Sequence, residues 1–221
     1  MSYWEFLGQY GGRLVDGAIV TAQQTVLAIV VAVTIAVIMG LMRLSEHFAI
    51  RGVATVYIEI FRGTSLLVQL FWIFFVLPLF GITLDKFTAG FLAVGMNLGA
   101  YGAEVVRGAI QAVPRGQYEA AIALNMSSTT RMRRIIFPQA LVLMLPPWGN
   151  LLIELLKGTA LVALISVADL MFEAKQINGS TFLSVEAFGS ALIIYYIMAR
   201  FIITPGMRKF EQVLSRKTSR A

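Results

Sequence analysis

Two stretches of this chain place groups able to bind a charged solute inside otherwise apolar sequence. Residues 59–67 read EIFRGTSLL and residues 154–162 read ELLKGTALV. Each has an acid, a base three positions on, then Gly-Thr and aliphatics. Positions three apart share a helical face, so Glu59 with Arg62, and Glu154 with Lys157, can each form an ion pair. Gly63 and Gly158 loosen the helix there, and Thr64 and Thr159 can bond the backbone groups so freed. Two polar stripes extend the pattern. Asn97, Tyr101 and Glu104 fall at i, i+4 and i+7, with Arg107 one turn beyond; Asn150, Glu154 and Lys157 repeat the spacing. Gln69 adds an amide on the same segment as Thr64.

Such a set can hold and pass a dipolar solute, or it can bond helices to one another. Catalysis has less support. The chain has no cysteine and one histidine, His47, in a short polar loop. Thiol chemistry, disulfides and multi-histidine metal sites are therefore excluded, and no nucleophile–base set is visible. No Gly-rich run ends in Gly-Lys-Ser/Thr, so ATP is not bound through a P-loop.

Composition explains why charge here matters. Of 221 residues, 58% are hydrophobic and 14% charged, against about 45–50% and about 25% in soluble domains. Mean hydropathy is +0.78. Several segments approach the ~20 apolar residues that span a bilayer. The expected spans are Ala18 to Met42, Val53 to Phe80, Phe87 to Ala112, Pro138 past Leu156, and Val185 to Met207. The apolar stretch 159–172 is too short to cross and reads as buried or re-entrant. The opening MSYWEFLGQYGGR lacks a basic run leading into an apolar core, so no cleaved signal peptide is expected.

Five spans with the N-terminus outside gather Arg43, Arg51, Arg107, Arg115, Arg131, Arg133, Arg134, Arg208, Lys209, Arg216, Lys217 and Arg220 on the cytoplasmic side. Little more than Arg13, Lys86 and Lys175 remains outside. This positive-inside bias selects N-out, C-in and accounts for much of the net charge of +6. The basic residues sit at membrane boundaries, so a lipid bilayer and not nucleic acid is the partner they indicate. The expected fold is all-α and integral to the membrane, one domain over 1–221.

Between the third and fourth spans, residues 113–138 read as a helix–turn–helix on the cytoplasmic surface. Pro114 can open a helix running to Leu124, and Asn125 tolerates the left-handed conformation that ends one. Ser127 or Ser128 can cap a second helix carrying Arg131, Arg133 and Arg134, with Pro138 marking the turn into the membrane. Glu119 beside Ala120 and Ala121 suits docking into a partner's cleft: small side chains permit close approach and the carboxylate gives one directional contact. An amphipathic helix that merely separates two spans is the alternative.

This loop resembles the EAA loop in permease subunits of bacterial binding-protein-dependent ABC importers: Glu-Ala-Ala, three residues, Gly, nine residues, Ile, one residue, Leu-Pro. Here Glu119-Ala120-Ala121, Asn125, Ile135, Phe137 and Pro138 stand at that spacing, with Asn for Gly and Phe for Leu. YIEIFRGTSLLVQLFW, AYGAEVVRGAIQAVPRGQYEAA and FPQALVLMLPPWGNLLIELLKGTAL narrow the resemblance to the polar amino-acid uptake branch. It implies a five-helix, type I importer permease fold in the bacterial inner membrane. The implied partners are a second permease subunit, identical or paralogous, two ATPase subunits and a periplasmic solute-binding protein. ATP and Mg would be bound by the ATPase, and this chain would hold no cofactor. Glu119, Ala120, Ala121, Leu124 and Asn125 would form the coupling helix. Glu59, Arg62, Thr64, Gln69, Asn97, Tyr101, Glu104, Asn150, Glu154, Lys157 and Thr159 would line the solute path. Two departures bear on the solute. Ser65 replaces a usual proline, and Lys157-Gly158-Thr159-Ala160-Leu161 replaces Lys-Asp-Thr-Ser-Leu. The lost aspartate favours a zwitterion (a neutral amino acid, an opine or ectoine) over a strongly cationic amino acid. The competing expectation is an ion-coupled secondary carrier using Glu59, Glu104 and Glu154; a membrane scaffold would leave the polar stripes unexplained.

Overall fold

A computed structural model describes residues 2–218, and its regular elements are all helical. Arg220 lies outside the described residues. Among the described residues, four helices are long and apolar enough to cross a membrane, or five if a pair bent by 106° counts as one span. The sequence expectation of five spans holds on that count.

Helix α1 runs Tyr3–Arg43. Ser2 and Glu5 close it with a capping box, each side chain bonding the other's backbone N–H. Its 41 residues reach about 60 Å, twice the ~30 Å hydrocarbon core. The sequence placed its start at Ala18. It starts at Tyr3 because the first turns are packed: Phe6 and Leu14 are buried with Leu170, Ala174 and Ile177 of α8 (Leu170–Thr181) and Ala187 of α9 (Ser184–Ile197). Arg13 and Glu173 join the same two helices at 2.7 Å.

Helix α4, Lys86–Gln111, packs along α1 more extensively than any other pair of elements. The seam is made of small residues. Ala28, Ala32, Ala36 and Gly40 recur every four positions on α1, facing Gly95, Gly99, Gly102 and Ala103 of α4. A Cβ on Gly95 would stand 2.7 Å from Val31 Cβ and 2.9 Å from the Ala28 carbonyl. Lipid supplies no hydrophobic force between helices, so close backbone approach of this kind carries the association.

The second span is broken. Helix α2 (Phe48–Gly63) ends at Gly63, and α3 (Leu66–Phe71) leaves at the 106° bend. A π-turn, Trp72–Val76, follows α3. Two further π-turns, Met132–Ile136 and Met198–Ile203, lie within the long helical segments of the fourth and fifth spans. Each is followed within two residues by a proline: Pro78, Pro138 and Pro205. Proline lacks an N–H and crowds the carbonyl four residues back, and the wider π register relieves that crowding. Pro138 was expected to mark a turn. Instead the helix continues through it, with Phe137 N–H reaching back to the Met132 carbonyl, into α7 (Phe137–Thr159).

The segment after α7 tightens to a 3-10 helix over Ala160–Ile165 and turns at Ser166, whose φ is 61°. Val162, Ile165 and Val167 are buried, so this is interior packing and not a further span. Asp169 then caps α8. It is fully buried, accepting from Phe172 N–H at 2.8 Å and from the Tyr195 hydroxyl at 3.3 Å.

Gly95→Leu should abolish recovery of folded protein in detergent size-exclusion, because the clash involves backbone on the facing helix. Gly108→Ala, with nothing within 4 Å of its added Cβ, should leave recovery unchanged. Burial pushes the Asp169 carboxyl up to about 6 from 3.8. A raised acid pKa favours the fold most below the unfolded value, and this advantage is lost as pH climbs through the folded one. Asp169→Asn should therefore gain stability relative to the parent between pH 4 and pH 7, by about 3 kcal/mol at most. Thermal unfolding of both proteins across that range checks the sign; a difference independent of pH would contradict it.

Candidate functional site

The two charged repeats fold differently. In the second, Lys157 Nζ donates to Glu154 Oε1 at 2.9 Å, as the spacing predicts. The two side chains are 61% and 62% exposed, so the pair stands open on a wall of α7. In the first, Glu59 and Arg62 form no pair. The Arg62 guanidinium turns instead over the Tyr101 ring, 5.3 Å from its centroid, and its carbonyl accepts from the Tyr101 hydroxyl at 3.4 Å. Stacking on α4 replaces the i, i+3 contact because the chain turns away immediately after Gly63. Both threonines cap as expected: Thr64 Oγ1 bonds the Ile60 carbonyl and Thr159 Oγ1 the Leu156 carbonyl, each at 2.7 Å.

Gln69 and Asn97 are buried and committed to the break. Gln69 Nε2 donates to Thr64 Oγ1 at 2.7 Å and to the Phe61 carbonyl at 2.9 Å. Asn97 Nδ2 donates to Gln69 Oε1 and to the same carbonyl, each at 3.0 Å. These bonds satisfy backbone groups freed by the bend, which must be met inside protein at membrane depth. Gln69 thus holds the broken helix to α4.

A cleft of about 540 Å³ collects much of the expected path: Asn97, Tyr101, Glu154 and Lys157 line it with Gly158 and the aliphatics Leu66, Leu151 and Leu161. Lys157 also borders a neighbouring groove with Tyr195, Tyr196 and Arg200. Asn150 is elsewhere, beside Met207, Arg208 and Glu211 of α10 (Thr204–Thr218), so the stripe on α7 is split. Thr159 is buried behind the wall. Glu104 accepts Arg107 at 2.7 Å, with Arg43 3.8 Å away. Glu59, Glu104 and Glu154 do not meet, and among the described residues no three acids or histidines gather as a cation site. A second cleft, about 520 Å³ beside Ile60, Val68, Trp72 and Met96, is almost wholly apolar and offers little to a dipolar solute.

The cytoplasmic loop forms the expected pair of helices. Helix α5 (Arg115–Ala123) ends with Asn125 at φ 57°, and Ser127 caps α6 (Ser128–Arg131) through Thr130 N–H. Glu119 and Ala120 are exposed, Leu124 is 76% exposed, and Ala121 is buried. Sequence reasoning missed Ile122, 57% exposed beside Leu124, and the two anchors of the loop. Tyr118 donates to the Ile110 carbonyl at 3.1 Å, its phenol raised in pKa by burial, and Gln139 bonds Gln117 at 3.1 Å. Tyr118 stands one residue before the acid, a signal the sequence did contain.

The family described as binding-protein-dependent transport system inner membrane component matches residues 4–215. The chain belongs to that family. It is a multi-pass permease subunit. It is 43% identical to a probable amino-acid ABC transporter permease protein, y4tF, of Sinorhizobium fredii, over 98% of this chain and 91% of the relative. It is 36% identical to the L-cystine transport system permease TcyB of Bacillus subtilis (90% and 82%) and 34% to the glutamine transport system permease GlnP of Escherichia coli (90% and 91%). A solved amino acid ABC transporter with histidines superposes at TM-score 0.88 with 37% identity over 96% of this chain and 98% of that one. The inward-facing MetNI methionine transporter shares the fold, at TM-score 0.69 and 17% identity over 97% and 99%.

The permease's open pair yields a direct test. Lys157→Ala should cut solute uptake at least about tenfold, the scale of one charged hydrogen bond, with the amount of assembled protein unchanged. Loss of the folded complex instead would make the pair a packing contact.

Proposed function

We propose that this permease imports an amino acid or an amino-acid-like zwitterion across the bacterial inner membrane, driven by separate ATPase subunits that bind the ATP and Mg. The observation that carries the reading is the Glu154–Lys157 pair, opposite charges 2.9 Å apart on an open cleft that Asn97 and Tyr101 also line. A zwitterion can exchange its carboxylate and ammonium for the two partners of that pair without leaving either charge bare in a nonpolar setting. Names of relatives that carry glutamine and cystine support a polar amino acid; opines and ectoine share the charge pattern.

A second permease subunit follows from the cost of exposed charge. Glu59 and Arg62 are exposed on a span, and insertion of such ions into lipid costs at least about 2.5–3.5 kcal/mol each. A partner subunit across a shared aqueous path removes that cost. A solute-binding protein delivers from the outer side.

Glu119, Ala120, Leu124 and Asn125 make the coupling surface: an acid and alanines on a helix held by Tyr118, with Ile122 and Leu124 as the apolar anchors. Glu119→Lys should abolish uptake in cells while the permease remains in the membrane at normal level, since the docking contact reverses sign. Unchanged uptake at equal expression would sink the coupling role. The ion-coupled carrier is disfavoured because its three glutamates stand apart, two of them already paired.

A further inference from the structure

Beyond the cleft, toward the cytoplasmic end of α4, the chain gathers more positive charge than it neutralises. Arg43, Arg62 and Arg107 all lie within electrostatic reach of Glu104; Glu59, three residues before Arg62 on α2, forms no ion pair with it. Glu104 is engaged by Arg107 through Nη2 at 2.7 Å and Nε at 3.1 Å. Arg43 donates from Nη1 to Thr55 at 2.7 Å, while its Nε is buried and donates to nothing. Arg62 is exposed and enters no ion pair among the described residues; its guanidinium rests on the Tyr101 ring. Even with Glu59 counted beside Glu104, three guanidinium groups outnumber two carboxylates, and the surplus attracts an oxyanion. The planar Arg62 fork, stacked and therefore pre-oriented, matches a carboxylate.

This cluster and the cleft share a wall. Tyr101 lines the cleft with Glu154 and Lys157 and also carries Arg62. Asn97, Tyr101 and Glu104 descend one face of α4, so Glu104 lies about 4.5 Å below Tyr101, the last residue of α4 on the cleft, at 1.5 Å per residue.

We propose that Arg62 on the Tyr101 ring, reinforced by the surplus charge of Arg43 and Arg107, is a second, inward-side site for the carboxylate of the transported solute. It receives solute leaving the cleft, and it fills from the cytoplasm when solute accumulates there. The site rests on the amino-acid importer reading above. An anionic lipid headgroup offers the same oxyanion chemistry, so the test separates the two sources.

The intact transporter, with ATPase and binding protein, is placed in phosphatidylcholine vesicles with its ATPase face outward and loaded binding protein enclosed. The probe is whichever of L-glutamine, L-cystine and L-histidine stimulates hydrolysis through the binding protein. Stimulation by none of these counts against the polar amino-acid reading on which the site rests, and this site falls with it. Given stimulation, millimolar probe on the ATPase side should inhibit hydrolysis, and the same compound with its α-carboxylate converted to an amide should not. Arg62→Gln should raise the inhibitory concentration about tenfold relative to its own uninhibited rate, the loss expected for one charge-assisted bond, while Arg62→Lys, which keeps the charge and loses the planar fork, should raise it by less. Stimulation without inhibition, inhibition indifferent to Arg62→Gln, or equal inhibition by the amide would overturn the site. Inhibition that requires added phosphatidylglycerol would also overturn it, assigning the cluster to lipid phosphate.

Discussion

The close approach of α1 and α4 is the constraint on which the rest of the structure depends. Ala28, Ala32 and Ala36 meet Gly95, Gly99 and Gly102, and Gly40 meets Ala103, with no room for another methyl group at the glycines. On α4 the polar residues follow the glycines by two positions: Asn97 after Gly95, Tyr101 after Gly99, Glu104 after Gly102. Two positions are about 200° around a helix. The face that grips α1 is therefore opposite the face that lines the cleft, and the seam fixes where the polar stripe points. A helix held this tightly can be both scaffold and wall.

Around that scaffold the chain keeps its polar groups in two conditions. Those at helix junctions are satisfied: Gln69 and Asn97 close the bend between α2 and α3, and Asp169 is held by α8 and Tyr195. Those on the cleft are left open, as with Glu154 and Lys157. Desolvation explains the division, since a buried polar group at membrane depth must be bonded within protein while one on an aqueous path need not be. Helix α5, which we propose as the coupling helix, extends the same economy to the surface. Tyr118 and Gln117 tie α5 down, which frees Glu119, Ile122 and Leu124 for a partner.

Much of this was legible from residue types and spacing. Apolar runs gave the spans, Asn125 gave the helix stop, and the Glu154–Lys157 pair formed as its spacing required. The failures have physical causes. Glu59 and Arg62 have the same spacing, but a helix that ends at Gly63 presents Arg62 to Tyr101, and only the tertiary bend decides that. Pro138, read as a boundary, was absorbed by a π-turn, a register change that local sequence does not announce. The start of α1 depended on cover from α8, more than 150 residues away in the chain. The small-residue seam was written openly, as Ala-x-x-x-Ala-x-x-x-Ala and Gly-x-x-x-Gly, and its spacing was the signal to follow. Asn150 was placed in the path by periodicity alone; the groove against α10 takes it elsewhere.

The central claim, that partner ATP hydrolysis drives solute through this permease, is met most directly by co-purification with the products of neighbouring genes and reconstitution into liposomes. The claim requires an ATPase to co-purify, and one loaded binding protein to raise its turnover and move solute inward with no ion gradient. A permease that purifies without an ATPase and moves solute only down an imposed proton or sodium gradient would contradict it.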